Sequence, residues 1–137
     1  MSQKIDSNNW NALVSINAKV NNDDNISVNV DYYNSFNYWE SVEGEQPLPD
    51  QSSEKLRLLL QDGKWNRDNL IILTCDNDGK SHSVLAAKTN IGTFALDSLM
   101  PSVVPLAALT YDWKTMEDVN NQQWITYKEW ISYNGPD

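Results

Sequence analysis

The sequence predicts a single α+β domain over residues 1–137, with N-terminal helices packed on a mostly antiparallel β-sheet. Apolar residues recur at helical spacing in the first part of the chain, and from Asn69 onward they recur at a spacing of two. The letters "NDGK" between two apolar runs are typical of a β-hairpin turn. Helices followed by consecutive hairpins indicate an α+β fold rather than a parallel α/β fold.

Two segments have the spacing of helices that pack on a core. The first is predicted near Ser7–Val20, where a serine suited to the capping position precedes the apolar residues. The second is predicted over Ser52–Asp62, with Ser52 or Ser53 as its cap and a glycine directly after its end. Its apolar face is expected to consist of three leucines, which are Leu56, Leu59 and Leu60.

Short runs with apolar residues at a spacing of two predict the strands. One of them, "ISVNVDYY", lies between the two helices. The others follow Asn69 and read "NLIILTCD", "HSVLAAK", "GTFALDSL", "LAALTYDW" and "QQWITYKEWISYN". Short turns separate "NLIILTCD", "HSVLAAK" and "GTFALDSL", so we expect these neighbouring strands to be antiparallel.

The charge balance argues against direct binding of nucleic acid. The chain has 19 acidic and 10 basic residues, a formal net charge of −9, and no Lys or Arg cluster that could neutralise phosphates. An acidic surface suits a basic protein partner instead. No apolar run reaches the length of a membrane span and the first residues lack the pattern of a signal peptide, so we expect a cytoplasmic protein that does not bind membranes.

The residues able to do chemistry are few. With one cysteine and one histidine, neither a metal site nor a cofactor is predicted, and Cys75 cannot form a disulfide within the chain. His82 opens one predicted strand, and Asp97 ends the next. A hairpin joining these strands would bring imidazole and carboxylate together, and the short loop after Cys75 would place its thiol opposite His82.

A longer ordered set of residues supports a family resemblance. The first half contains Trp10, the segment "INAKVNNDDNI", Asp31 and Trp39, and the second half contains "HSVLAAKTNIGTFALDS", "YDW" and "QQW". In this order the chain resembles the bacterial transglutaminase-like cysteine peptidases, a branch of the papain-like fold that is also common in phage genomes. The resemblance implies a papain/transglutaminase-like fold with a groove between its helices and its sheet.

The same resemblance assigns catalytic positions. Members of the family use Cys, His and Asp, and the last two correspond to His82 and Asp97. The family's cysteine lies at the start of a helix, which corresponds to the segment from Gln51 to Ser53, and none of these residues is cysteine. The resemblance therefore implies the fold, while the nucleophile of the reaction is missing from its expected place.

Three hypotheses follow for the site. In the first, the protein is a pseudoenzyme, and His82 and Asp97 are a vestigial pair that remains for structural reasons. In the second, Ser52 or Ser53 is the nucleophile of a serine hydrolase that uses the same pair. In the third, Cys75 is the nucleophile, although a strand lacks the helix dipole that lowers a thiol pKa.

The sequence favours the first hypothesis, and with it a protein-binding module encoded by a phage or prophage. Such a module would act in the host cytoplasm as an assembly factor or as an acidic inhibitor of a host protein. Trp39, Trp65 and Trp113 are expected to line the groove or to anchor an interface. The alternative is an active small cysteine or serine hydrolase that cleaves peptide or isopeptide bonds with His82 and Asp97.

Overall fold

The computed structural model of the chain describes residues 3–23, 51–121 and 123–127. The predicted strand "ISVNVDYY" and Trp39 lie outside these residues, and so does the end of the run "QQWITYKEWISYN". Two helices and a six-stranded sheet make up the regular structure of the described part, together with two short 3-10 turns.

Helix α1 spans Ser7–Asn21, close to its predicted bounds. Its cap is Asp6 rather than the predicted Ser7, because the Asp6 carboxylate accepts a hydrogen bond from the N–H of Asn9 at 2.8 Å. A carboxylate near the first turn also interacts favourably with the positive end of the helix dipole.

Helix α2 spans Gln51–Asp62. It begins one residue before its predicted start, so Ser52 and Ser53 lie within its first turn and are buried instead of capping it. Two of the three leucines predicted for its apolar face are buried, but Leu60 is 39% exposed because its position falls outside the buried stripe of the helix. Gly63 follows the last residue with φ of 82°, the left-handed conformation that ends many helices.

The six strands form one sheet in which every pairing between strands is antiparallel. The order across the sheet is β4-β3-β2-β1-β5-β6. This arrangement confirms the predicted α+β class and the antiparallel sheet from Asn69 onward. The strands are β1 Leu70–Asn77, β2 Lys80–Thr89, β3 Gly92–Leu96, β4 Val104–Pro105, β5 Asp112–Asp118 and β6 Gln123–Thr126.

The predicted strand "LAALTYDW" is wrong over its first six residues. Leu106–Ala108 form a 3-10 turn instead, and β5 begins only at Asp112. Pro105 ends β4 and precedes this turn, which the N–H of Leu109 closes by donating to the carbonyl oxygen of Leu106 at 3.0 Å.

Apolar side chains pack on both faces of the sheet. On one face, leucines of α1 and α2 pack against alternate strand residues such as Leu70, Ile72 and Leu85. On the other face, Leu106 and Leu109 from the connection between β3 and β5 pack against residues of the opposite parity. Both sets of sheet residues are buried, and this places the strands in the middle layer of the described structure.

Neither described helix combines the length and the apolar character that crossing a membrane would require.

Candidate functional site

The structure brings His82 and Asp97 into direct contact, as the hairpin pattern predicts. His82 lies on β2, and Asp97 directly follows β3, the next strand of the sheet. The imidazole Nε2 lies 2.6 Å from the carboxylate Oδ1. Because an ionised carboxylate can only accept a hydrogen bond, Nε2 carries the proton, and Nδ1 is the other ring nitrogen through which the imidazole can act.

The Asp97 carboxylate is completely buried and accepts further hydrogen bonds. Oδ1 also accepts one from the N–H of Leu99 at 3.0 Å, and Oδ2 accepts one from the hydroxyl of Tyr111 at 2.5 Å. Burial by itself would raise the pKa of Asp97, but the hydrogen bonds from His82, Tyr111 and Leu99 outweigh it and hold the pKa below its ordinary value of 3.8.

The backbone of Asp97 is fixed as firmly as its side chain. The Nδ2 group of Asn21, the last residue of α1, donates to the carbonyl oxygens of Asp97 and Met100 at 3.2 Å each. The N–H of Met100 in turn donates to the carbonyl oxygen of Asp97 at 3.1 Å. The carboxylate is thus held in a turn that is attached to the helical layer.

One aromatic ring packs directly against the imidazole on the second face of the sheet, and two more rings follow it. The ring of Tyr111 stands nearly perpendicular to that of His82, with their centroids 5.5 Å apart. Trp113 packs against Tyr111 at 5.6 Å, and Tyr127 packs against Trp113 at 6.1 Å. We call these four side chains the aromatic row.

Cys75 lies on β1 directly opposite His82, in agreement with the predicted register. Residues paired in this way point to the same face of an antiparallel sheet. On its other side Cys75 pairs with Trp113 of β5. The cysteine is only 2% exposed, which is typical of a cysteine that acts as a small core residue.

The start of α2 packs on the opposite face of β2. The Ser52 hydroxyl lies 3.0 Å from that of Ser83, and both residues are buried. One turn further along α2, Lys55 is fully buried, and its ammonium donates to the carbonyl oxygen of Leu96 at 3.4 Å. The helix start therefore contacts the residue next to His82 in the chain.

The predicted tryptophans take different places. Trp65 is 5% exposed, packs in the core beside the helices and donates from Nε1 to the carbonyl oxygen of Asn9 at 3.3 Å. It does not line a groove, which corrects the expectation from the sequence. Trp113 is half-buried in the aromatic row, where part of its ring is accessible.

Within residues 3–23, 51–121 and 123–127, no three His, Cys, Asp or Glu side chains are grouped so that they could hold a metal ion. The prediction of a site without a metal stays a prediction for the chain as a whole.

Tyr111 and Asn21 are two residues of the site that sequence reasoning missed. Tyr111 is part of the "YDW" segment that contributes to the family resemblance, but that segment looks like the middle of an ordinary strand. Asn21 ends a helix in an asparagine-rich stretch, where asparagine is usually a capping or turn residue. Only contacts between residues distant in the chain identify either of them.

Comparison with known proteins places this arrangement in a family. The sequence model of the protein family described as bacterial transglutaminase-like cysteine proteinases matches residues 1–131, nearly the whole chain. The chain belongs to this family. No curated protein matches the sequence.

Solved structures of LapG from Legionella pneumophila have a similar fold. The EGTA-treated LapG has 20% sequence identity and a TM-score of 0.54, over 78% of this chain and 62% of that one. The chain thus spans less than two thirds of this LapG chain. Calcium-bound LapG matches with 19% identity and a TM-score of 0.53, over 88% of this chain and 75% of LapG. A third LapG structure matches with 18% identity and a TM-score of 0.53, over 93% of this chain and 80% of LapG.

Membership in the transglutaminase-like cysteine proteinases gives the contacts of His82 a context. A family of cysteine proteinases acts through a thiol, and a histidine–carboxylate pair is the partner that such a thiol needs. In this member the pair is present with good geometry. The one thiol of the chain, however, belongs to Cys75 on β1, and the first three residues of α2 are Gln51, Ser52 and Ser53.

Proposed function

We propose that this member of the transglutaminase-like cysteine proteinases has no peptidase activity and serves as a protein-binding module. The observation that carries the proposal is the position of its thiol. The chain has a single cysteine, Cys75, which is buried on a strand in the middle of the sheet, and the described start of α2 has none.

The chemistry of thiol peptidases explains why this position matters. The attacking group is a thiolate, and a helix N-terminus together with a neighbouring imidazolium lowers the thiol pKa so that the anion forms near neutral pH. Cys75 is on a strand and has no helix dipole to stabilise its anion, and burial disfavours the charged form. An amide such as that of Gln51 cannot serve as the nucleophile.

The hydrogen bonds of Asp97 support a structural role for the retained pair. Its carboxylate links β2 through His82, the turn after β3 through Leu99, and the residue before β5 through Tyr111. A buried carboxylate with three donors stabilises the fold whether or not the imidazole takes part in a reaction.

A surface suited to a protein partner lies beside the pair. Trp113 is partly accessible at the centre of the aromatic row, and Leu99, two residues after Asp97, is 56% exposed. Aromatic side chains of this kind often act as anchors in protein interfaces. With a net charge of −9, the protein is suited to a basic partner in a bacterial cytoplasm, as an assembly factor or as an inhibitor.

Two reactive probes on the native protein test the loss of activity. An iodoacetamide probe reports an activated thiol and a fluorophosphonate probe reports an activated serine, with His82→Ala as the matched control for each. We expect slow labelling that His82→Ala does not change. Rapid labelling that His82→Ala abolishes would contradict the proposal.

Capture from a bacterial lysate, followed by calorimetry with the purified partner, tests the binding role. We expect Trp113→Ala to weaken binding by about 2 kcal/mol, a typical value for an interface anchor, and Trp65→Phe to leave it unchanged because Trp65 is in the core. Equal affinity of the wild type and Trp113→Ala would rule out the aromatic row as the binding surface.

A second candidate function is an active cysteine hydrolase that uses Cys75. The observation in its favour is the register that pairs Cys75 with His82 on neighbouring strands. This candidate requires that native Cys75 is alkylated well below the pH of about 8.5 at which an ordinary thiol titrates. The serine alternative has less support, because the hydroxyl of Ser52 contacts Ser83 on the face of β2 opposite the imidazole of His82.

A further inference from the structure

Tyr111 contacts both members of the imidazole–carboxylate pair. Its hydroxyl donates to Oδ2 of Asp97 at 2.5 Å, the oxygen that does not face the imidazole. Its ring stands edge-to-face against the ring of His82, at a centroid distance of 5.5 Å and an interplanar angle of 83°. Tyr111 precedes β5, so it reaches the pair from a part of the chain outside the hairpin that carries His82.

We infer that Tyr111 is a positioning residue of this site. By binding Oδ2 of the Asp97 carboxylate, it keeps Oδ1 on the Nε2 proton of His82. A carboxylate with a single partner can rotate about its terminal torsion, which is broad for aspartate. The Tyr111 hydroxyl on Oδ2 and the Leu99 N–H on Oδ1 remove this freedom. The ring contact limits the rotation of the imidazole itself.

The consequence of this positioning concerns the proton of the imidazole. With Oδ1 held on Nε2, the neutral ring keeps its proton there and presents Nδ1 as the acceptor. His82, Asp97 and Tyr111 then form one ordered group, in which Nδ1 of the imidazole is the defined acceptor atom. The inference does not rest on the proposed binding function, since it concerns only how the three side chains hold each other.

The test is nuclear magnetic resonance on the full chain labelled with ¹⁵N. His82 is the single histidine of the sequence, so the signals of its ring are assigned without ambiguity. The exchange rate of the Nε2 proton with water is measured in the wild type and in Tyr111→Phe. We expect exchange to be roughly fivefold to tenfold faster in the variant, the factor that corresponds to the loss of one hydrogen bond.

Tyr127→Phe is the matched control, because it removes a hydroxyl from the same aromatic row at a ring that packs against Trp113. It should leave the exchange rate at the wild-type value. Wild-type exchange in Tyr111→Phe would overturn the inference. So would equal acceleration in both variants, since this would indicate a general loosening of the row.

A third variant covers the case in which Tyr111→Phe does not fold. Replacement of Tyr111 by 3-fluorotyrosine keeps the ring and the hydroxyl but makes the hydroxyl a stronger donor. The ¹³C signal of the Asp97 carboxyl should then titrate at a lower pH than in the wild type. An unchanged midpoint would overturn the inference, because the hydroxyl would then have no influence on the carboxylate.

Discussion

At the scale of single residues, the buried carboxylate of Asp97 joins three segments that are separate in the chain. His82, Leu99 and Tyr111 each donate to it, and Asn21 donates to its backbone carbonyl oxygen. Hydrogen bonds to a charged group stabilise a fold more than those between neutral groups. The stability of the protein should therefore depend on the charge of this one side chain.

Asp97→Asn tests this dependence through pH. The pKa of Asp97 is lowered in the folded protein, so the carboxylate contributes stability at pH values above its unfolded pKa, and this contribution is lost as the pH falls through the folded pKa. We expect Asp97→Asn to lower the free energy of unfolding by about 2 kcal/mol at pH 7. Urea unfolding should show a smaller difference between the two proteins below about pH 4. A difference that stays constant with pH would contradict the assignment.

At the scale of elements, the start of α2 packs on the start of β2. The two elements meet through the hydroxyls of Ser52 and Ser83, and Ser83 is the residue that follows His82 in the chain. A thiol at the start of α2 would have the helix dipole to stabilise its anion, while the imidazole of His82 lies on the other face of β2.

Cysteine restored at this helix start should therefore be activated. We expect one of Gln51→Cys, Ser52→Cys and Ser53→Cys, each in a Cys75→Ser background, to be alkylated well below the pH of about 8.5 expected for an ordinary thiol. The measurement is the rate of iodoacetamide alkylation against pH. Adding His82→Ala should leave most of this shift in place, because the imidazole lies on the other face of β2. If all three variants show the pH dependence of alkylation of a small-molecule thiol, α2 does not correspond to the family's catalytic helix.

The β1–β2 hairpin sets the register that places Cys75 opposite His82. Its turn consists of Asp78 and Gly79, with φ of 55° and 80°. Two positive φ values are typical of the type I′ turn, whose twist matches that of the flanking strands. The space around Gly79 is open, so a side chain there meets no neighbour, and the constraint is purely conformational.

Gly79→Ala should accordingly destabilise the protein by about 1 kcal/mol, through backbone strain alone. Gly79→Asn is the matched control and should cost less, because asparagine tolerates the left-handed region better than alanine does. Thermal unfolding of the three proteins measures both effects. Equal stability of Gly79→Ala and the wild type would mean that the turn adopts another conformation in solution.

At the scale of the whole molecule, the sheet separates two different environments. The helices and the buried polar contacts of Ser52 and Lys55 lie on one face. The aromatic row and Cys75 lie on the other, next to the connection between β3 and β5. The ring of Tyr111 packs against both His82 and the half-buried Trp113 on this face. The net charge of −9 influences the approach of any charged partner.

Salt dependence tests the role of this charge in the proposed binding. If the partner is basic, its association rate should fall at least severalfold between low and physiological ionic strength, since salt screens the attraction between exposed charges. Stopped-flow measurements with the captured partner would show this, and the dissociation rate should change much less. An association rate independent of salt would exclude electrostatic steering by the acidic surface.

The sequence by itself determined the features that depend on neighbours in the chain. The switch from helical spacing to a spacing of two predicts the α+β class, and the short turn at Asp78 and Gly79 fixes which residue faces Cys75. The contact of His82 with Asp97 follows for the same reason, because one hairpin with a short turn joins their strands. The absence of a second cysteine is also a property of the sequence alone.

Only the tertiary structure decided which distant residues complete the site. Tyr111 reaches Asp97 after an irregular connection with a 3-10 turn, and Asn21 reaches it from the end of a helix in the other layer. Periodicity says which face a residue occupies but not which residue of another layer lies opposite. Trp65 illustrates the same limit, since its place in the core depends on how α1 packs beside it, and this packing is a property of the assembled layers.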